Sequence, residues 1–327
     1  MNHPRAFATV ANPPFIDLQP TRQDELREIM AGLQAPQKTV SPRFFYDKRG
    51  SALFEEITRL PEYYPSRTER QILTLHAEAI GKRVGSGRVI IEPGAGSCSK
   101  IRLLLDSLRP AAYWPLDISG SFVRQAALEL RADFDWLPVT AVCADFNQLQ
   151  TLAEHLPSGR KLAFYPGSTL GNLSAEAATR LLITLRGLVG ADGGILLGLD
   201  LHKDEKTLNE AYNDSQGVTA AFNLNLLEHL NRLLPANFEP EQFKHLAFYD
   251  PQRRRIEMHL ESLSDQQVTC AGETLQFVRG ETIHTENSYK YSLDDLDQLL
   301  DRAGLQREDS WFDGQDLFGF HYCRPVL

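Results

Sequence analysis

Residues 88–100, RVIIEPGAGSCSK, constrain the fold more than any other stretch of this chain. The β-branched residues Val89, Ile90 and Ile91 run into Glu92, then Gly94 and Gly96, and a helix is predicted from about Ser97. A buried strand that turns on glycines into a helix N-terminus is where an α/β fold holds a nucleotide-like ligand, because small residues let the backbone come close to it. A purely structural turn carries two glycines just as well, so the motif needs support from elsewhere.

Two later strand ends supply that support. Tyr113-Trp114-Pro115-Leu116 leads to Asp117, about twenty residues past the glycines, the spacing of a carboxylate that accepts from ribose hydroxyls. A third strand over 139–144 ends in Asp145-Phe146, an acid suited to an adenine amino group beside a ring suited to the base. Each acid taken singly also suits a helix N-cap or a solvated turn. Three strand ends in register point to an adenosine-containing cofactor. The turn lacks the third glycine of a dinucleotide fingerprint, and the chain has no GxxxxGKS or GxxxxGKT run, which excludes a P-loop. Glu92-x-Gly94-x-Gly96, Asp117 and Asp145-Phe146 together resemble the class I methyltransferases that bind S-adenosylmethionine, a ligand with an amino-acid tail and no phosphate.

The segments VIIE, YWPLD, VTAVCAD, KLAFYPG and GGILLGLD alternate with amphipathic stretches between residues 88 and 199. Such alternation implies a parallel sheet with helices on both faces. Beyond Asp200 helical patterns dominate through Leu234, and then short strands follow: LAFYD, RIEMHLES, QVTCAG and TLQF. That reads as a separate α+β insertion. After Tyr291 a capped helix and two strands, SWF and FGFHYCR, complete the first sheet. Upstream, residues 1–15 carry prolines without periodicity and are expected to be flexible. Helices are predicted from Asp24 and through Leu53, Phe54 and Ile57, a stiff loop over PEYYP (61–65), and a helix over 67–80 capped by Ser66.

Hydrophobic content of 42% and charged content of 24% are those of a globular protein rather than a disordered chain. A net charge of -9 opposes non-specific binding to nucleic acid, which needs basic surface. The run Arg253-Arg254-Arg255 follows a Asp250-Pro251 turn and reads as a solvated strand start. Cys98, Cys143, Cys270 and Cys323 have no paired spacing, and the histidines include no HxxxH or HxH pair, so neither a disulfide framework nor a metal site is expected. The N-terminus lacks the apolar run of a signal peptide, and nothing later approaches a membrane span. A cytoplasmic monomer is expected, with no membrane or nucleic-acid partner.

Two segments suggest an acceptor site. GSTLGNL (167–173) follows the fourth strand, whose C-terminal end lines the ligand crevice of a doubly wound sheet, so Ser168, Thr169 and Asn172 are expected to face the reacting groups. Asn172 can meet both the amine and the carboxylate of an amino acid, although a turn or N-cap role suits it equally. In TENSYKY (285–291), a period of two puts Glu286 and Ser288 on one face, where an acid and an alcohol could bracket an imidazole. An edge strand with a solvated polar face fits the same pattern.

FFYDKRGSALFEEITRLPEYYPSRTE, the glycine turn, GSTLGNL, AYNDSQGVTAAFNLNLL, RIEMHL and TENSYKYS together resemble the histidine-specific methyltransferases of the ergothioneine pathway, from about Phe44 to the C-terminus. The resemblance implies an α/β fold, a class I S-adenosylmethionine methyltransferase with a Rossmann-like doubly wound sheet, interrupted by an inserted α+β substrate domain. It implies trimethylation of the α-amine of L-histidine, giving hercynine. On this basis residues 16–67, 87–202 and 290–327 are expected to form the methyltransferase domain, and 68–86 with 203–289 the substrate domain. By position, Tyr46 and Tyr63 match residues near the imidazole and the reacting amine, and are the implied catalytic contacts. Asn172 and Tyr212 match the pair that holds the α-carboxylate, and Glu286 and Ser288 the pair that selects the ring. Gly94, Gly96, Lys100, Asp117, Asp145 and Phe146 match the cofactor contacts. Pro93, Tyr165-Pro166 and Asn287 depart from the family pattern. The same chemistry on another amino acid, and a cofactor-binding module without turnover, are the rival readings.

Overall fold

The structure, a computed structural model, describes residues 13–19 and 21–326. Its strands are β1 (Phe15–Asp17), β2 (Lys38–Thr39), β3 (Val89–Pro93), β4 (Ala112–Asp117), β5 (Ala141–Cys143), β6 (Lys161–Tyr165), β7 (Gly194–Asp200), β8 (Phe243–Asp250), β9 (Arg255–Ser262), β10 (Gln266–Cys270), β11 (Glu273–Phe277), β12 (Thr282–Tyr289), β13 (Leu305–Phe312) and β14 (Phe318–Pro325). Its helices are α1 (Arg22–Leu33), α2 (Lys48–Ile57), α3 (Tyr64–Val84), α4 (Leu105–Leu108), α5 (Gly120–Asp133), α6 (Leu149–Leu152), α7 (Ala175–Val189), α8 (Glu205–Tyr212), α9 (Val218–Leu233) and α10 (Leu293–Ala303).

Eight strands form one sheet in the order β1-β5-β4-β3-β6-β7-β14-β13. All its pairs are parallel except those that β14 makes with β7 and β13. This is the class I methyltransferase sheet, with β1 added at one edge. Every residue of β3 and β7 is buried, as strands covered by helices on both faces require. Alternation along β3 decides which helices they meet. Val89 and Ile91 bury with leucines of α7 and α10, whereas Ile90 buries with Ile72 and Leu73 of α3 and Val123 and Leu130 of α5.

A second sheet, β2-β12-β9-β8, turns Ile256, Met258, Leu260 and Ile283 onto Ile29, Leu33, Phe45, Leu226 and Leu230 from α1, α9 and the turn before α2. The pair β10-β11 stands apart as a hairpin. No helix among the described residues is long and apolar enough to cross a membrane. The four cysteines are buried free thiols.

Several local expectations change. The third helix begins at Tyr64, with Tyr63 as N-cap, because Pro65 falls in the first turn where a missing N–H costs nothing; Ser66 is inside it. No long helix follows the glycine turn: Cys98 has φ 55°, and only a 3-10 turn over Ile101–Leu103 and the short α4 come next. Residues 1–12 of the stretch expected to be flexible lie outside the described residues, while Phe15 sits in β1 beside Ala141. Packing also divides the chain differently from the expected boundaries. Ile29, Leu33, Phe44, Phe45 and Ile57 bury with the smaller sheet and α9, whereas Ile72, Leu73, Ile80 and Val84 of α3 bury against the large sheet.

Candidate active site

One half of the site is the turn after β3. Gly94 and Gly96 hold φ values of 71° and 52°, which side chains rarely adopt. A Cβ at Gly96 would meet nothing within 4 Å, and one at Gly94 would point at the Phe146 ring 3.9 Å away, so the glycines leave a cradle that a side chain would fill. Asp117, at the end of β4, accepts from the backbone N–H of Gly96 at 3.0 Å and of Ser119 at 2.9 Å. Burial outweighs these bonds and pushes its carboxyl up. Phe146 meets Tyr165 edge to face, with ring centroids 5.8 Å apart.

Three partners close this half. Arg43 reaches Asp145 at 2.6 Å from the turn before α2, and so ties the two layers together. Lys100 pairs with the buried Glu69 of α3 at 2.5 Å, and Glu69 accepts the Gly167 N–H with its other oxygen. Glu92 accepts from the Tyr113 hydroxyl at 2.7 Å, and its burial raises the carboxyl to about 8. Two acids at strand ends, an aromatic ring, an ammonium and a bare glycine cradle fit the adenosine and amino-acid ends of S-adenosylmethionine.

The other half is built by β12. Its pairing with β9 slips at Thr285: His284 lies opposite His259, yet Glu286 lies opposite Met258 and Ser288 opposite Ile256. This bulge moves Glu286 and Ser288 to the face of Met258 and Ile256, which is the buried one. On the side away from β9, β2 pairs Ile283 and His284, and beyond them the turn over Thr169–Asn172 lies against Tyr289, so this stretch is not a solvated edge. Gly171 permits the final approach, since a Cβ there would stand 2.8 Å from the Tyr289 carbonyl oxygen. The turn it belongs to brings the Asn172 amide within 3.4 Å of the Glu286 carboxylate. Burial raises the Glu286 carboxyl to about 7, with Lys290 opposing. Tyr212 donates to Ser288 at 2.8 Å.

Aromatic rings close the space between the halves. Tyr46 packs edge to face on Phe54 and Phe222, and Tyr63 on Phe54 and Tyr212, with centroids 5.7–6.4 Å apart. Burial raises both tyrosine hydroxyls well above 10; the charges adding to this at Tyr46 include Glu286 from one half and Asp117 from the other. Ser168 and Thr169 do not face this space as expected. Ser168 accepts the Asp200 N–H at 3.0 Å and so ties the turn to β7, and Thr169 donates to the Pro166 carbonyl within the turn.

The profile of the histidine-specific, S-adenosylmethionine-dependent methyltransferases matches residues 25–325. The chain belongs to this family. It is 39% identical to the histidine N-alpha-methyltransferase of Mycolicibacterium smegmatis, over 90% of this chain and 92% of that one. It is 37% identical to the protein of that name from Mycobacterium tuberculosis, with the same coverage. Ergothioneine biosynthesis protein 1 of Neurospora crassa is 28% identical over 84% of this chain, which spans 32% of that longer protein.

For a member of this family, the structure adds residues that the sequence reading did not single out. Asp200, at the end of β7, accepts from Lys290 at 2.7 Å, Lys203 at 2.5 Å and the Tyr64 hydroxyl at 2.7–2.8 Å. Burial opposes its ionisation, but the two ammoniums hold the carboxyl below its usual range. An acid at the end of GGILLGLD was the available signal, the same as for Asp117. Glu69 and Arg43 carried none, since Glu69 lies in a polar stretch and Arg43 beside the aromatic run Phe44-Phe45-Tyr46. Among the described residues one group offers metal-ligand atoms within 4.8 Å of one another: Glu257, His259 and His284. The two imidazoles stack at 16°, so their in-plane lone pairs do not converge on one ion, and Glu257 already pairs with Arg255 and His259.

Proposed function

We propose that this methyltransferase transfers three methyl groups to the α-amine of L-histidine, giving Nα,Nα,Nα-trimethyl-L-histidine. The observation that carries the reading is the bulge at Thr285, which turns Glu286 inward to meet Asn172 and Ser288 inward to meet Tyr212. In this reading Glu286 and Ser288 hold the imidazole, and Asn172 and Tyr212 hold the α-carboxylate. Gly94, Gly96, Lys100, Asp117, Asp145 and Phe146 hold the cofactor. When bound, S-adenosylmethionine supplies an activated methyl on a positively charged sulfur.

The chain's own task is then to position a neutral amine, because a protonated one has no lone pair to attack with. Alignment of this kind can supply roughly 7–11 kcal/mol of a barrier. Tyr46 and Tyr63 stay neutral phenols, because burial holds their hydroxyls far above neutral pH. Each therefore orients the amine by accepting an N–H and passes the proton on through water, rather than taking it as phenolate. The faces of Tyr46, Tyr63 and Phe54 suit a growing, finally quaternary ammonium, worth on the order of 0.5–2 kcal/mol.

The test is mass spectrometry of products from an amino-acid mixture supplied with S-adenosylmethionine. Trimethylated histidine is the expected product. Preferential methylation of any other amino acid, or none at all, would overturn the acceptor assignment.

A further inference from the structure

Lys290 is a fully buried ammonium that the proposed chemistry leaves without a task. It donates to Asp200 at 2.7 Å and to the Ser288 hydroxyl oxygen at 2.8 Å, and stands 3.5 Å from the Tyr212 hydroxyl. An ammonium has three donors and no acceptor, so its bond to Ser288 can run only one way. It occupies one of the two lone pairs of that oxygen. Tyr212 donates to Ser288 as well, and so occupies the other. The Ser288 hydrogen is left to point into the pocket. A substrate carboxylate that drew the Tyr212 hydrogen away would still leave Lys290 blocking its side of the hydroxyl.

Lys290 is itself fixed. Asp200 binds it on one oxygen and Lys203 on the other, while Tyr64 donates to both. Glu286 lies two residues before Ser288, on the same face of β12. The pocket thus presents a carboxylate acceptor and, beside it, a hydroxyl whose direction is set from behind.

We propose that Lys290 is a positioning residue for specificity: it fixes Ser288 as a hydrogen-bond donor, so the accepted ring must offer one N–H to Glu286 and one bare nitrogen to Ser288. This rests on the acceptor reading above and narrows it to the neutral form of imidazole. A ring whose only nitrogen is its N–H lacks the bare nitrogen Ser288 needs. An imidazolium presents a second N–H to a hydroxyl that Lys290 leaves at most one lone pair, and accepting it would turn the Ser288 hydrogen away from the ring.

The test compares kcat/KM for L-histidine with that for the two pyrrolylalanine isomers, each of which keeps one ring N–H and lacks the second nitrogen. Wild-type enzyme should prefer histidine by roughly a hundredfold or more, since buried donors are left unpaired by the analogues. Lys290→Met keeps Asp200 paired with Lys203 and Tyr64. It should lower that preference by roughly tenfold, the worth of one hydrogen bond. Ser288→Ala should lower it too, and the double variant should lower it no further than Ser288→Ala alone. S-adenosylhomocysteine affinity should not change. A uniform loss on all three acceptors, with the preference intact, would show Lys290 to be merely structural.

The wild-type protein gives a second readout that needs no variant. Nitrogen NMR of ring-labelled L-histidine, bound with S-adenosylhomocysteine, should show one protonated and one bare ring nitrogen. Two protonated nitrogens would overturn the proposal. If histidine were methylated while the preference ignored Lys290, this inference alone would fall. If wild-type enzyme left histidine untouched, the acceptor reading would fall with it.

Discussion

The two halves of the crevice are made in different ways. The cofactor half is built on the ends of neighbouring strands of one sheet, and its glycine cradle is local: Gly94 and Gly96 sit on one turn, and Asp117 bonds Gly96 from the next strand. Arg43 and Glu69 brace this half from farther away in the chain. The acceptor half draws on four distant segments, with Asn172 from the turn after β6, Tyr212 from α8, Asp200 from β7 and Glu286 with Ser288 from β12. The first is backbone shape fixed by glycine. The second is a buried polar network whose members hold one another in place, which is where removal of one partner is most costly. The two should therefore respond separately to mutation.

Asp117→Ala should break the cofactor half most severely. If Asp117 accepts two ribose hydroxyls as proposed, its loss removes two charge-assisted hydrogen bonds, and S-adenosylhomocysteine affinity should fall by roughly a hundredfold or more by calorimetry. An unchanged affinity would remove Asp117 from the cofactor site.

Gly171→Val should act on the other half. Its Cβ would collide with the Tyr289 backbone, so the turn carrying Asn172 must retreat from β12. Overpacking of this kind costs about 1–3 kcal/mol, and the KM for histidine should rise by roughly tenfold with S-adenosylhomocysteine affinity unaltered. Equal weakening of both ligands would show that the halves are not independent.

A smaller effect sharpens the contrast. Glu286 has its carboxyl raised to about 7 from the ordinary 4.5, so the fold favours the protonated form. The stability this lends is complete below about pH 4.5 and is lost as pH rises through 7. Gln cannot ionise. Without acceptor, the thermal midpoint of Glu286→Gln should therefore gain on wild type by a few degrees between about pH 5 and about pH 8. A gap that does not move with pH would mean Glu286 is solvated.

The same contrast explains what could be read in advance. Strand–helix alternation and the glycine turn announced the large sheet, because local patterns specify parallel strands and their turns. Glu286 and Ser288 were visible as a pair of period two, but not the bulge at Thr285 that turns them inward, since a bulge is a relation between two strands. The apolar pattern of α3 fits either layer, so only the burial of Ile72 and Ile80 against the large sheet assigns it. Lys290 lay inside a quoted motif and still carried no signal. Its meaning comes from Asp200, 90 residues away.

The most direct test is calorimetry of Glu286→Ala against both ligands. The account predicts that L-histidine binding, measured with S-adenosylhomocysteine present, is lost or weakened by roughly a hundredfold, while S-adenosylhomocysteine binds as to wild type. Parallel loss of both, or histidine binding that survives intact, would contradict a ring-selecting pocket built on Glu286.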